Sequence, residues 1–144
     1  TMQYFSSTGV YSNYLDSLVI VGNTITSGST VATYYGLKDV DVLCNWMFCF
    51  SILRNTCAHH GRVWNRRLPE ITIPKKTVQL YVENKTFYTN KTYAILCNIM
   101  YILNNISPNH NFKANLVALM SNCPLAQEKE MGFPKNWKQE QFWK

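Results

Sequence analysis

Between Arg54 and Arg67 the chain reads RNTCAHHGRVWNRR, a stretch holding all four arginines, two of the three histidines and no acid. Arg54 and His59, with Asn55 beside the arginine, are the residue types that phosphodiester cleavage needs without a metal. A guanidinium presents a planar fork of donors to phosphate oxygens and keeps its charge at any working pH. An imidazole titrates near neutrality, so it can take a proton from a ribose 2′-hydroxyl or return one to the leaving oxygen. Trp64, in the same stretch, carries a ring on which a base could stack. Structural roles compete for the same residues. Arg54 could be a partly buried ion-pair residue, the doublet His59–His60 could cap a helix C-terminus against the negative end of its dipole, and Trp64 could pack the loop onto the helices.

The element that must position these groups is a helix running from an N-cap at Asp39 or Asp41 to about Ala58. Its apolar positions Val40, Leu43, Met47 and Phe50 follow helical spacing, and the next step on that stripe is Arg54, which aims it inward or at a partner. Five residues at about 100° each put His59 about 140° around an ideal helix from Arg54, so the two would not face the same way. Either the helix ends or distorts before His59, as Gly61 allows, or the groups converge by way of a second subunit.

The segment LRNTCAHHGRVWNRRL, together with YYGL before it and MGFPKNWKQEQFWK at the end, closely resembles the Abi-like (abortive infection) family of bacteria, the AbiD/AbiF group within the HEPN superfamily of helical ribonucleases and RNA-binding domains. The resemblance runs from about Leu15 to Trp143. In the HEPN pattern an arginine, a polar residue and a following histidine form the site, which match Arg54, Asn55 and His59. It implies metal-independent RNA cleavage leaving a 2′,3′-cyclic phosphate, in a site shared by two domains, with no cofactor. His60, Arg62, Arg66 and Arg67 fall in the matching stretch as RNA contacts. Family members tend to be about twice as long, so the chain resembles their C-terminal half, and a second subunit could do the work of the missing part.

At 144 residues the chain suits a single domain spanning 1–144. Its net charge of +6 favours a polyanionic partner. The apolar runs Leu43–Leu53 and Ala94–Leu103 fall short of the roughly 18 residues of a spanning helix, and no signal peptide is apparent, so a cytoplasmic protein without membrane contact is expected. Five cysteines, an odd count without a CxxC pair, point to a reducing compartment and mostly buried free thiols. Cys57, His59 and His60 lack a fourth ligand at zinc spacing, so no metal is expected. The N-x-[ST] triplets at Asn84, Asn90 and Asn105 read as accidents of an asparagine-rich chain.

Along the rest of the chain, residues 1–14 show no clear period and suggest a frayed or extra segment. Over YLDSLVIVGNTI the β-branched residues make strand a competitor, and the resemblance decides for a helix. Thr26–Thr30 then reads as a loop or N-cap cluster before VATYYGL. Leu68–Lys76, with two prolines, is an extended loop in which Lys75 and Lys76 could border the RNA path. Residues 77–88 lean to helix or irregular structure. KTYAILCNIMYILNN is a helix apolar nearly all round, His110 a solvated loop histidine, and Phe112, Leu116 and Leu119 or Met120 one face of a last helix. Phe133, Trp137, Phe142 and Trp143 should clamp the terminus onto the bundle. The expected fold is all-α, a HEPN-like helical bundle with helices near 16–36, 40–58, 89–106 and 110–121, forming a homodimer. The leading function is an antiphage endoribonuclease. The alternatives are a non-catalytic RNA-binding module holding a guide or inhibitory RNA, and a structural helical dimer in a defence complex with an antitoxin protein.

Overall fold

The computed structural model describes residues 19–21, 24–26, 28–74, 88–123, 125 and 127–144. Its body is helical. Among the described residues four helices follow one another as α1 (Gly28–Tyr34), α2 (Val40–Ala58), α3 (Thr92–Ile106) and α4 (Phe112–Asn122), followed by two 3₁₀ turns, Trp137–Gln139 and Gln141–Trp143. The expected helix over 16–36 is corrected at its front half: Val19–Val21 and Thr24–Thr26 form an antiparallel hairpin, β1 and β2, with Ile20 opposite Ile25. The β-branched residues prevailed there because their stiff side chains suit a pleated strand better than a helical turn. Residues 1–18 and 75–87, with the expectations placed on them, lie outside the described residues.

Local chemistry sets the helix ends. The Asp39 carboxylate accepts the amide of Asp41 at 3.0 Å, an N-cap for α2 as expected. After α1 the amide of Leu37 donates to Ala32 O and that of Gly36 to Thr33 O, each at 2.9 Å. Gly36 takes the left-handed conformation (φ 68°), and the buried Leu37 covers the buried Ala32. This is the Schellman closure that ends helices where a glycine is available.

The core gathers around α2 and α3. Leu43, Trp46, Cys49 and Leu53 of α2 meet Tyr93, Ala94, Ile95, Cys97 and Met100 of α3 within one buried cluster. Burial of the Cys49 thiol pushes it up to about 11, and the Cys97 thiol and Tyr93 hydroxyl also rise, chiefly through desolvation. The extended segment after the basic stretch is a packed strap. Asn45 donates to Glu70 O (3.1 Å) and accepts from the Thr72 amide (2.7 Å), while Trp46 Nε1 donates to Thr72 O (2.7 Å). Leu68 and Ile71, both buried, point from this strap into the core.

At the C-terminal end Phe133, Trp137 and Trp143 pack around Tyr93, with ring centroids 4.8, 6.5 and 6.1 Å from it. The Tyr93 hydroxyl accepts Trp143 Nε1 and donates to the buried Glu140 carboxylate. The expected clamp of the terminus is therefore present. His110 departs from expectation: it is half-buried, its Nδ1 accepts the Phe112 amide (3.1 Å) and its Nε2 pairs with Asn104 Oδ1 (2.8 Å), so it helps cap α4. On α4 the buried positions are Leu116 and Met120, while Leu119 is exposed.

Candidate nucleic-acid interface

α2 runs unbroken to Ala58, so Arg54, Asn55 and Cys57 lie on its last two turns and His59 is its C-cap (φ −93°, ψ 19°). The helix thus ends just before His59, one of the alternatives the sequence left open, with no distortion ahead of that end. Arg54 is exposed, which sets aside a buried ion pair; its Nη1 donates to Asn55 Oδ1 at 2.8 Å. Asn55 also accepts the His59 amide on its carbonyl at 3.0 Å. One asparagine thus ties the Arg54 side chain and the backbone of His59 to the same turn. The His59 imidazole is exposed, and no described side chain hydrogen-bonds to it.

The chain leaves the helix through a second Schellman closure. The His60 amide donates to Cys57 O (3.0 Å) and the Gly61 amide to Thr56 O (2.7 Å). The position that glycine fills after α1 is here His60, with φ 53°. A Cβ on Gly61 would stand 2.9 Å from Thr56 O, so this glycine is required by close approach. The histidine doublet does end a helix, as its structural reading expects.

Beyond Gly61 the basic loop is pinned to the start of α3. Val63 O accepts the Arg66 amide (3.2 Å) and the Thr92 hydroxyl (3.4 Å), and Lys91 Nζ donates to Asn65 Oδ1 (3.2 Å). Asn65 is a second left-handed residue (φ 52°). Trp64 keeps part of its surface open rather than being fully buried. Its side chain is 41% exposed, and the Arg62 guanidinium carbon lies 5.7 Å from its ring centroid. Arg66 and Arg67 are exposed beside it; Lys75 and Lys76 lie outside the described residues.

Next to Arg54 an open groove of about 360 Å³ runs between α2 and α3. Phe50, Leu53 and Cys57 line one side and Ile99, Ile102 and Leu103 the other, with Arg54 among its walls. Sequence reading missed this groove: its lining is split between helices about 45 residues apart in the chain, so only packing assembles it. Among the described residues no group of three or more His, Cys, Asp or Glu is placed to hold a metal ion, and no helix is long and apolar enough to cross a membrane.

The arrangement is that of a helical module with a rigid basic loop at one helix end. Residues 5–65 are similar to the family model described as Abi-like protein. The match takes in Arg54, Asn55, His59, His60, Arg62 and Trp64, begins ahead of Leu15 and stops before the C-terminal clamp. Comparison with curated proteins gives no match, nor does comparison with solved structures.

Proposed function

We propose that the chain is an antiphage, abortive-infection protein that cleaves RNA without a metal, as a homodimer whose site is shared between copies. Arg54 would bind the scissile phosphate and steady its transition-state charge, Asn55 holds that guanidinium forward, and His59 acts as general base and then acid. The observation that carries the reading is the Arg54–Asn55–His59 turn itself: an exposed arginine, locked by its neighbour, five residues ahead of an exposed imidazole at a helix end. Since a regular helix separates the two groups by about 140°, a second copy is what would bring Arg54 and an imidazole to one phosphate. The apolar groove beside Arg54 supplies a surface for that contact.

The test compares the wild type with His59→Ala on labelled mixed-sequence RNA in EDTA, resolving the 3′ ends. Cyclic-phosphate fragments from the wild type alone are expected, with His59→Ala lower by about 10²- to 10⁴-fold. Equal cutting by both proteins overturns the assignment. The absence of an orienting partner for the imidazole among the described residues favours a second reading, a module that holds RNA without turnover. It predicts salt-dependent binding by both proteins and cutting by neither.

A further inference from the structure

Of the four tryptophans, Trp46, Trp137 and Trp143 are buried at 0, 1 and 3% exposure, whereas Trp64 keeps 41% of its surface open. An indole left 41% open forgoes part of the burial that stabilises the other three. It is also held in place. The turn carrying it is closed by the Arg66 amide on Val63 O, and its flanks are fastened by Thr92 to Val63 O and by Lys91 to Asn65. The backbone adopts the left-handed conformation on either side, at His60 and Asn65. Arg62 lies over the ring, and no acid occurs from Arg54 to Arg67.

An acidic peptide would use these guanidinium groups but has no need of a π-face. A double-stranded nucleic acid would use the charges, but its base faces are already stacked. The ligand that needs both a flat aromatic surface and a neighbouring cation is a nucleotide with its base unpaired. We propose that Trp64 is a preformed stacking platform for an unpaired base of single-stranded RNA, with Arg62 placed to take the adjoining phosphate. This inference rests on the RNA reading of the site and narrows it to single strands.

Because the other tryptophans are buried, collisional quenching by acrylamide reads Trp64 in the intact chain. The probes are a 12-nucleotide 2′-O-methyl RNA, which lacks the hydroxyl that cleavage requires, and the same strand annealed to its complement. The single strand is expected to shield Trp64 from acrylamide. In anisotropy titrations Trp64→Ala should bind the single strand about 5- to 150-fold more weakly, with duplex affinity unchanged and Trp64→Phe intermediate. Salt-dependent binding of the single strand that leaves Trp64 open to quencher, or an equal loss on strand and duplex, overturns the platform while leaving the RNA reading standing. If neither probe binds, the RNA reading falls and the platform with it.

Discussion

Replacing His60 with glycine should raise stability while weakening the basic turn. His60 stands at φ 53° in the closing position of α2, the place that Gly36 fills after α1 at φ 68°. A left-handed backbone costs an L-residue about 1–2 kcal/mol, which glycine avoids. Glycine returns about 0.4–1 kcal/mol of that through the extra freedom it gives the unfolded chain. The imidazole is exposed and no described residue hydrogen-bonds to it, so truncation forfeits little contact. The net expectation for His60→Gly is a gain of about 0.5–1 kcal/mol, seen as a Tm higher by about 2–4 °C. Urea titration measures the first quantity and a thermal melt the second. In the RNA reading the same variant binds single-stranded RNA less tightly, so stability and affinity move in opposite directions. A variant less stable than the wild type would refute the reasoning, because the imidazole would then be making contacts worth more than the strain.

The strap along α2 should depend on Asn45: Asn45→Ala loses both bonds to residues 70 and 72 and should cost about 2 kcal/mol in urea unfolding, while a loss under 0.5 kcal/mol would mean Trp46 holds the strap unaided. Ellman's reagent should titrate Cys57 and Cys123 at once and the buried Cys44, Cys49 and Cys97 only on unfolding. Burial raises the Cys49 thiol from 9.0 to about 11, so the folded state keeps a proton that the unfolded chain releases. The Cys49 contribution to stability should therefore be full below pH 9 and fall by up to about 1.4 kcal/mol per pH unit as pH rises to 11, with the raised Cys97 and Tyr93 steepening the fall in the same direction; a flat profile over that range would count against it. Finally, mixing Arg54→Ala with His59→Ala, each inactive alone, should restore about a quarter of wild-type cleavage, since half of randomly paired dimers are mixed and each mixed dimer completes one of two sites. No recovery after confirmed subunit exchange would refute a shared site.

The central helix was legible because its signals are local: Asp39 caps it, and apolar residues recur at helical spacing as far as Leu53. The aromatic clamp was legible from Phe133, Trp137 and Trp143, whose area must go somewhere in so short a tail. The hairpin was legible in part, since Gly22–Asn23 between two β-branched runs is a hairpin signal, whereas the family resemblance points to a helix there. The spacing of Val40, Leu43, Met47 and Phe50 puts Arg54 at the next step of their stripe, aimed inward or at a partner. The buried face of α2 runs through Leu43, Trp46, Cys49 and Leu53, so Arg54 lies on its flank, beside a groove whose far wall is α3. Asn45 looked like an ordinary polar position because its partners are 25 and 27 residues away. Nothing in the type of His60 announces a left-handed turn.

Asn55 connects these observations. Its side chain fixes Arg54 and its carbonyl takes the His59 amide, so the two candidate groups share one stiff turn yet leave it in different directions. Rigidity of that kind serves phosphate binding by a single copy, because a guanidinium fixed in advance loses little freedom when an anion arrives. It cannot by itself serve general acid–base catalysis, which needs the imidazole within hydrogen-bond reach of the same phosphodiester. Binding and cleavage therefore differ less in which residues are present than in how many copies meet at Arg54. A chain that turns over RNA must pair across this helix end, and one that only holds RNA need not.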